Sequence, residues 1–283
     1  MHTTRVVLSA LALAASAAAQ VPLIPTLPHQ RTFDVLIGDQ NFDGVYRLVD
    51  WNQDGDYDDA NEVVVYYDSA IGSVAPRPPS GIAQLANRPA LVCDVTSDVI
   101  VALRDQNGDG DANDPGEHWV YFDNSNASGI GMYSMQGLCV DLLDRVFVAN
   151  GNNGQGGTDG IFLLEDLDQD GDVLDAGEVR SYCDIPNSGA STGHSNPFDV
   201  AVGPDNNLYY TDNLTDLNLD GDCNDVGEWN LYWQPSSGAT APFLGAVLFD
   251  QTGAIYIADY GSNQVVRGRG LNADDFIDPS EQT

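Results

Sequence analysis

Short apolar stretches, each closed by Gly, Pro, Asp, Asn or Ser, run through the chain from about residue 32 onward, and this punctuation predicts strands rather than helices. Three kinds of stretch recur in a fixed order. The first is apolar and stands at residues 90–93 (ALVC), 137–140 (GLCV), 198–202 (FDVAV) and 245–248 (GAVL). The second follows a tight turn, at residues 99–102 (VIVA), 146–149 (VFVA), 208–211 (LYYT) and 254–257 (AIYI). The third begins directly after a glutamate, at residues 63–67, 118–122, 179–183 and 229–233. A further strand is expected at residues 44–49 and 160–164, each the first arm of a hairpin. In the other two units the second stretch runs almost straight into an acidic segment, so three strands and four both fit.

The acidic segment is the tip of each hairpin and occurs four times. Its copies start at Asp50, Asp105, Asp166 and Asp216, spaced 55, 61 and 50 residues apart, a period that signals a repeat array. All four read D-x-[DN]-x-D-G-D-x-x-D-x-x-E, and a degraded fifth copy ends at Glu281. The candidate metal ligands are Asp50, Asn52, Asp54, Asp56, Asp59 and Glu62 in the first loop, and Asp105, Asn107, Asp109, Asp111, Asp114 and Glu117 in the second. The third offers Asp166, Asp168, Asp170, Asp172, Asp175 and Glu178, and the fourth Asp216, Asn218, Asp220, Asp222, Asp225 and Glu228. Oxygen side chains at positions 1, 3 and 5 can turn toward one centre, glycine at position 6 permits the sharp turn, and a terminal Glu can close the shell. That donor set suits Ca²⁺, a hard cation taking six to eight oxygens. Four such loops imply about four ions, and acids repeated at positions 10 and 13 exceed what a solvated turn requires.

The first half of each loop resembles the calcium loop of an EF-hand or a dockerin. Its second half departs: the closing acid stands at position 13 rather than 12, and Asp recurs at positions 7 and 10. The resemblance supports the ion and the turn but not flanking helices, and leaves open which of positions 7, 10 and 13 bind. Two longer stretches, FDVAVGPDNNLYYTDN (residues 198–213) and GAVLFDQTGAIYIADYGSNQVVR (residues 245–267), resemble NHL-type β-propeller repeats, and GLCVDLLDRVFVANGNNG (residues 137–154) is similar. That likeness implies a ring of blades with the first strand of each at the axis and the last at the rim. The expected architecture is all-β and propeller-like, with about five units and incomplete units at both termini.

Ahead of this array, residues 1–19 read as a secretory signal peptide: Arg5, an apolar run from Val6, and Ala17, Ala18 and Ala19 before Gln20. The run is too short to span a bilayer. Residues 20–31 form a Pro-rich lead-in, and residues 32–283 the repeat domain. The expected location is therefore secreted or periplasmic. The chain has 43 acidic residues against 10 basic ones, all Arg, for a formal net charge of −33. Four Ca²⁺ would leave about −25, still a field that argues against nucleic acid or an anionic membrane as partner, and with no second apolar run long enough to span, no membrane insertion is expected.

Other chemistry is sparse. Four cysteines in an exported chain allow three disulfide pairings. Their places on the strands suggest Cys93–Cys139 and Cys183–Cys223, with buried free thiols the alternative for the first pair. Beyond the leader the histidines are His29, His118 (expected to be structural) and His194, which precedes an apolar strand. No nucleophile elbow, phosphate loop or zinc-protease signature occurs. Asn126-Ala127-Ser128 and Asn213-Leu214-Thr215 match the glycosylation pattern. The connections at residues 68–89, 124–136, 185–197 and 234–244 are the candidate ligand surface. Together these features predict a secreted scaffold with structural calcium, binding a protein, glycan or small molecule. The alternative is a lactonase- or lyase-like propeller enzyme with its site in the axial cleft.

Overall fold

The structure is a computed structural model that describes residues 35–52, 54, 56–72, 74, 79–85, 89–151, 159–184, 197–210, 213–214, 229–230, 244–250, 252–259 and 264–268. Residues 1–34, with the expected leader and lead-in, lie outside it, as do His194, Cys223 and the copy ending at Glu281. Among the described residues every regular element is a strand. No helix there is long and apolar enough to cross a membrane.

Among the described residues, eighteen strands form five antiparallel meanders. The first sheet holds β1 (Val35–Asp39), β2 (Gly44–Leu48) and β3 (Val63–Asp68). The second holds β4 (Pro79–Gln84), β5 (Ala90–Asp94), β6 (Ile100–Leu103) and β7 (His118–Phe122). The third holds β8 (Met135–Val140), β9 (Val146–Asn150), β10 (Gly160–Leu164) and β11 (Val179–Asp184). The fourth holds β12 (Val200–Val202), β13 (Leu208–Tyr210), β14 (Asn213–Leu214) and β15 (Trp229–Asn230). The fifth holds β16 (Leu244–Phe249), β17 (Ile255–Asp259) and β18 (Gln264–Gly268). The opening strands β1, β4, β8, β12 and β16 lie side by side in that order.

β6 and β10 are apolar at every position because their sheets are covered on both faces. Along β6 the side chains alternate between neighbours. Ile100 and Ala102 pack toward the third sheet with Val146, Val148, Phe162 and Leu164, whereas Val101 and Leu103 pack toward the first with Val45, Tyr66 and Tyr67. β10 repeats this one sheet on: Phe162 and Leu164 face back, while Ile161 and Leu163 face forward onto Val200, Leu208 and Tyr210. Period-two alternation is present, but both phases are buried, so the sequence shows unbroken apolar runs.

Two sequence expectations are corrected. Residues 90–93 form the second strand of their sheet, not the first, and residues 100–103 form the third. The first strand is β4, within a segment expected to be a connecting loop. Its sequence, PSGIAQ, has the look of a turn. Small residues are needed there because β4 and β8 approach closely: a Cβ on Gly81 would lie 2.9 Å from the Gly137 Cα and 3.0 Å from the Cys93 sulfur. The strand count of that unit is thereby four, and two-residue β14 supplies a third strand before the fourth acidic loop.

The expected Cys93–Cys139 pair is the other correction, whereas Cys183–Cys223 lies outside the described residues with Cys223. Cys93 and Cys139 are free thiols, the alternative that the sequence left open for that pair. Cys93 is fully buried, 3.2 Å from the Ser80 hydroxyl, and Ser80 donates to the Met135 carbonyl at 2.8 Å. Burial pushes the Cys93 thiol up to about 12. Burial, with the nearby Asp199 and Asp141 carboxylates, raises Cys139 well above the ordinary thiol range. Both are inert packing groups at neutral pH.

Candidate metal centres

Each described acidic loop joins the last two strands of its sheet: β2 to β3, β6 to β7 and β10 to β11. The hairpin ladder continues into the loop neck, where Val49, Arg104 and Glu165 donate N–H bonds of 2.8, 2.7 and 2.9 Å to the carbonyls of Glu62, Glu117 and Glu178. The closing glutamate is thus held at the mouth of its loop. All three are buried, exposed by 1%, 3% and 3%.

Inside the loop the alternating acids build a staircase of side chain-to-backbone turns. The position-3 oxygen accepts from the position-5 N–H in all three loops: Asn52 from Asp54 at 2.9 Å, Asn107 from Asp109 at 2.8 Å, Asp168 from Asp170 at 3.1 Å. The position-5 carboxylate accepts from the position-7 N–H, and position 7 from position 9. Position 1 anchors the turn: Asp105 accepts from Gly108 and Gly110, and Asp166 from Gln169 and Gly171. Glycine at position 6 has φ of +110° in Gly110 and +105° in Gly171, a region that a side chain disfavours.

This spacing gathers the carboxylates. In the second loop one oxygen from each of Asp109, Asp111 and Glu117 lies within 4.8 Å of the others. In the third loop two triads do so, Asp166 with Asp168 and Glu178, and Asp168 with Asp170 and Asp175. Position 10 therefore turns inward. The Asp168 carboxylate raises Asp175 above the usual carboxylate range, and burial raises Asp172. In the first and second loops Asn at position 3 relieves the repulsion: Asn52 donates to Asp54 and Asp59, and Asn107 to Asp109 and Asp114.

The glutamates bind backbone N–H groups as well. Glu62 accepts from Trp51 and Asp59, and Glu178 from Leu167 and Asp175, each with both oxygens engaged. Glu117 differs. One of its oxygens accepts from Gln106 and Asn107, while Oε2 is buried without a hydrogen-bond partner. The donors gathered here are all oxygen, with no nitrogen or sulfur, a set suited to a hard divalent cation. Asp216, Asn218, Asp220, Asp222, Asp225 and Glu228 lie outside the described residues.

The other sequence candidates resolve differently. His118 is structural: Nδ1 lies 3.1 Å from the Ala112 carbonyl and the ring packs on Tyr67. Asn126 is buried, its amide donating to the carbonyls of Asp123 and Ile130, so this glycosylation match is closed in the fold. Its neighbours brace the third acidic loop, Ala127 N–H donating to Leu174 and the Ser128 hydroxyl to Asp175. Sequence reasoning passed over Asp199, which lies among opening strands. Its carboxylate accepts from Val247 N–H at 3.0 Å, and a Cβ on Gly137 would sit 2.1 Å from its oxygen. Burial raises it to about 6. A lone acid inside an apolar strand carries no motif, so only its placement marks it.

No protein-family model matches the chain, and no curated protein matches it. Solved structures do. A gluconolactonase from Xanthomonas campestris aligns with a TM-score of 0.53 at 14% identity, over 86% of this chain and 70% of that one. A catalytically inactive virginiamycin B lyase from Staphylococcus aureus, solved with quinupristin, aligns with a TM-score of 0.52 at 14% identity, over 87% of this chain and 65% of that one. The fold is that of a β-propeller. Both matched proteins are longer than the matched part, and at such identity the likeness carries the architecture alone.

Proposed function

We propose that this propeller is an extracellular protein stabilised by calcium, with one ion in each acidic hairpin tip and about four in all. The observation that carries the reading is the Glu117 carboxylate. Its Oε2 is buried with no N–H donor, and the carboxylate belongs to a triad with Asp109 and Asp111, an arrangement that is costly unless a cation joins it. Positions 1, 3, 5 and 13 supply the ligands, and the inward turn of Asp59, Asp114 and Asp175 adds position 10. The signal peptide read at residues 1–19 would deliver the chain to a compartment where calcium is plentiful. The test is calorimetric titration of chelator-stripped protein with Ca²⁺, with melting followed in parallel. About four equivalents and a large rise in Tm are expected; absence of binding overturns the reading.

For the molecule as a whole, the fold neighbours favour a lactonase- or lyase-like enzyme over a passive scaffold for a protein, glycan or small molecule. An enzymatic site would lie where the opening strands meet, and Asp199 is the acid placed there. Turnover of a panel of lactones by the calcium-loaded chain, abolished in Asp199→Asn, is the expected result. No turnover on that panel, together with retained binding to a glycan or protein array, would return the reading to a scaffold.

A further inference from the structure

The acidic loops do more than close their own hairpins. In each of the two seams where a loop and the preceding sheet are both described, the loop is fastened to that sheet by the same pair of bonds. Position 8 donates its N–H to the last strand of the sheet before: Ala112 to the Tyr66 carbonyl on β3 at 2.8 Å, and Val173 to the Tyr121 carbonyl on β7 at 2.9 Å. The position-6 carbonyl accepts from a side chain of that sheet: Gly110 from Arg47 Nη1 at 2.8 Å, and Gly171 from Trp119 Nε1 at 2.9 Å. The side chains of Ala112 and Val173 are fully buried in the cores shared by neighbouring sheets. Unrelated donors, an Arg and a Trp, serve the same carbonyl, so the bond recurs where the sequence does not.

These two bonds come from the centre of the loop, between the acids at positions 5 and 7 and the acid at position 10. Repulsion among the loop's carboxylates works against holding positions 6 and 8 in one place, and a cation among them offsets it. We propose that the ion in each hairpin tip works as a latch between blades, so that calcium occupancy sets whether a sheet is fastened to the one before it. This rests on the calcium reading above and adds to it a regulated joint, with divalent calcium as the effector. β3 and β7 are the last strands of their sheets, and the latch takes up one carbonyl on each.

The test uses amide hydrogen exchange, resolved by residue, on the full chain with and without Ca²⁺, alongside calorimetric counting of bound ions. Calcium is expected to slow exchange of the Ala112 and Val173 amides by about tenfold or more, while amides in the middle of β6 and β10 change far less. Glu178→Gln should remove one ion and release Val173 but leave Ala112 protected. Trp119→Phe deletes one latch donor without touching a ligand. It should keep the full number of ions yet lower the protection of Val173, which separates the latch from binding itself and serves if the glutamate variant does not fold. Ions bound with no change at Ala112 and Val173 would overturn the latch and spare the calcium reading; no ions bound would overturn both.

Discussion

At the residue scale, two acids make opposite demands. Glu117 is held by two N–H donors on one oxygen and none on the other. Glu117→Gln keeps the acceptor but replaces the cation-facing oxygen, so titration should find one calcium fewer. Its apo stability should stay within about 1 kcal/mol of the parent, whereas Glu117→Ala, which strands the Gln106 and Asn107 amides, should cost about 2–4 kcal/mol. Asp199 is raised to about 6 by burial. Its charged form is the disfavoured one in the fold, so the penalty is present in full above about pH 6 and fades as pH falls through 6 toward the ordinary carboxylate value. In calcium-loaded protein Asp199→Asn should therefore raise stability near pH 7.5, by at most about 3 kcal/mol, and by much less near pH 5. Thermal melts at the two pH values check the sign. Glu117 was legible in the sequence because its position repeats. Asp199 was not, since its role comes from Gly137 and Val247, which are remote in the chain.

At the scale of elements, the acidic hairpins were readable in outline because their chemistry is local: each turn bond spans two to five residues. β4 was unreadable for the opposite reason. Its Pro, Ser and Gly serve a close approach to β8, a tertiary demand that looks like a loop in one dimension. Gly137→Ala would force a Cβ to 2.1 Å from the Asp199 oxygen and 2.9 Å from its backbone Cα. It should destabilise the fold by about 2–4 kcal/mol, seen as a lower denaturant midpoint. The same substitution in open space, at Gly129, meets nothing within 4 Å but carries a φ of +70°, and should cost only about 1 kcal/mol. The phase of the apolar pattern in β6 and β10 was hidden for a related reason: with a sheet on each side, no face is left polar to mark the period.

At the scale of the whole molecule, the sequence announced an all-β repeat array, and the structure makes it one of stacked antiparallel sheets whose opening strands meet. The expected Cys93–Cys139 bridge is absent because both thiols went into packing, and calcium is the candidate cross-link at the hairpin tips. One site at a hundredfold excess of ion over Kd contributes about 2.7 kcal/mol, so several together should dominate stability. Chelation should accordingly lower Tm steeply, and titrating calcium back should raise it with the logarithm of concentration. Acid should act like a chelator: Asp175 and Asp172 already hold protons above the usual carboxylate range, so calcium affinity should weaken as pH falls toward that range.

Asn126 carries a last consequence, one of timing. Its amide is spent on the carbonyls of Asp123 and Ile130, and its neighbours grip the third acidic loop. An oligosaccharide could be added there only before that corner closes. If the chain is passed through a glycosylating secretory pathway, sugar on Asn126 becomes a clock for folding. Prompt closure leaves the asparagine bare, and a delayed chain is marked permanently as late.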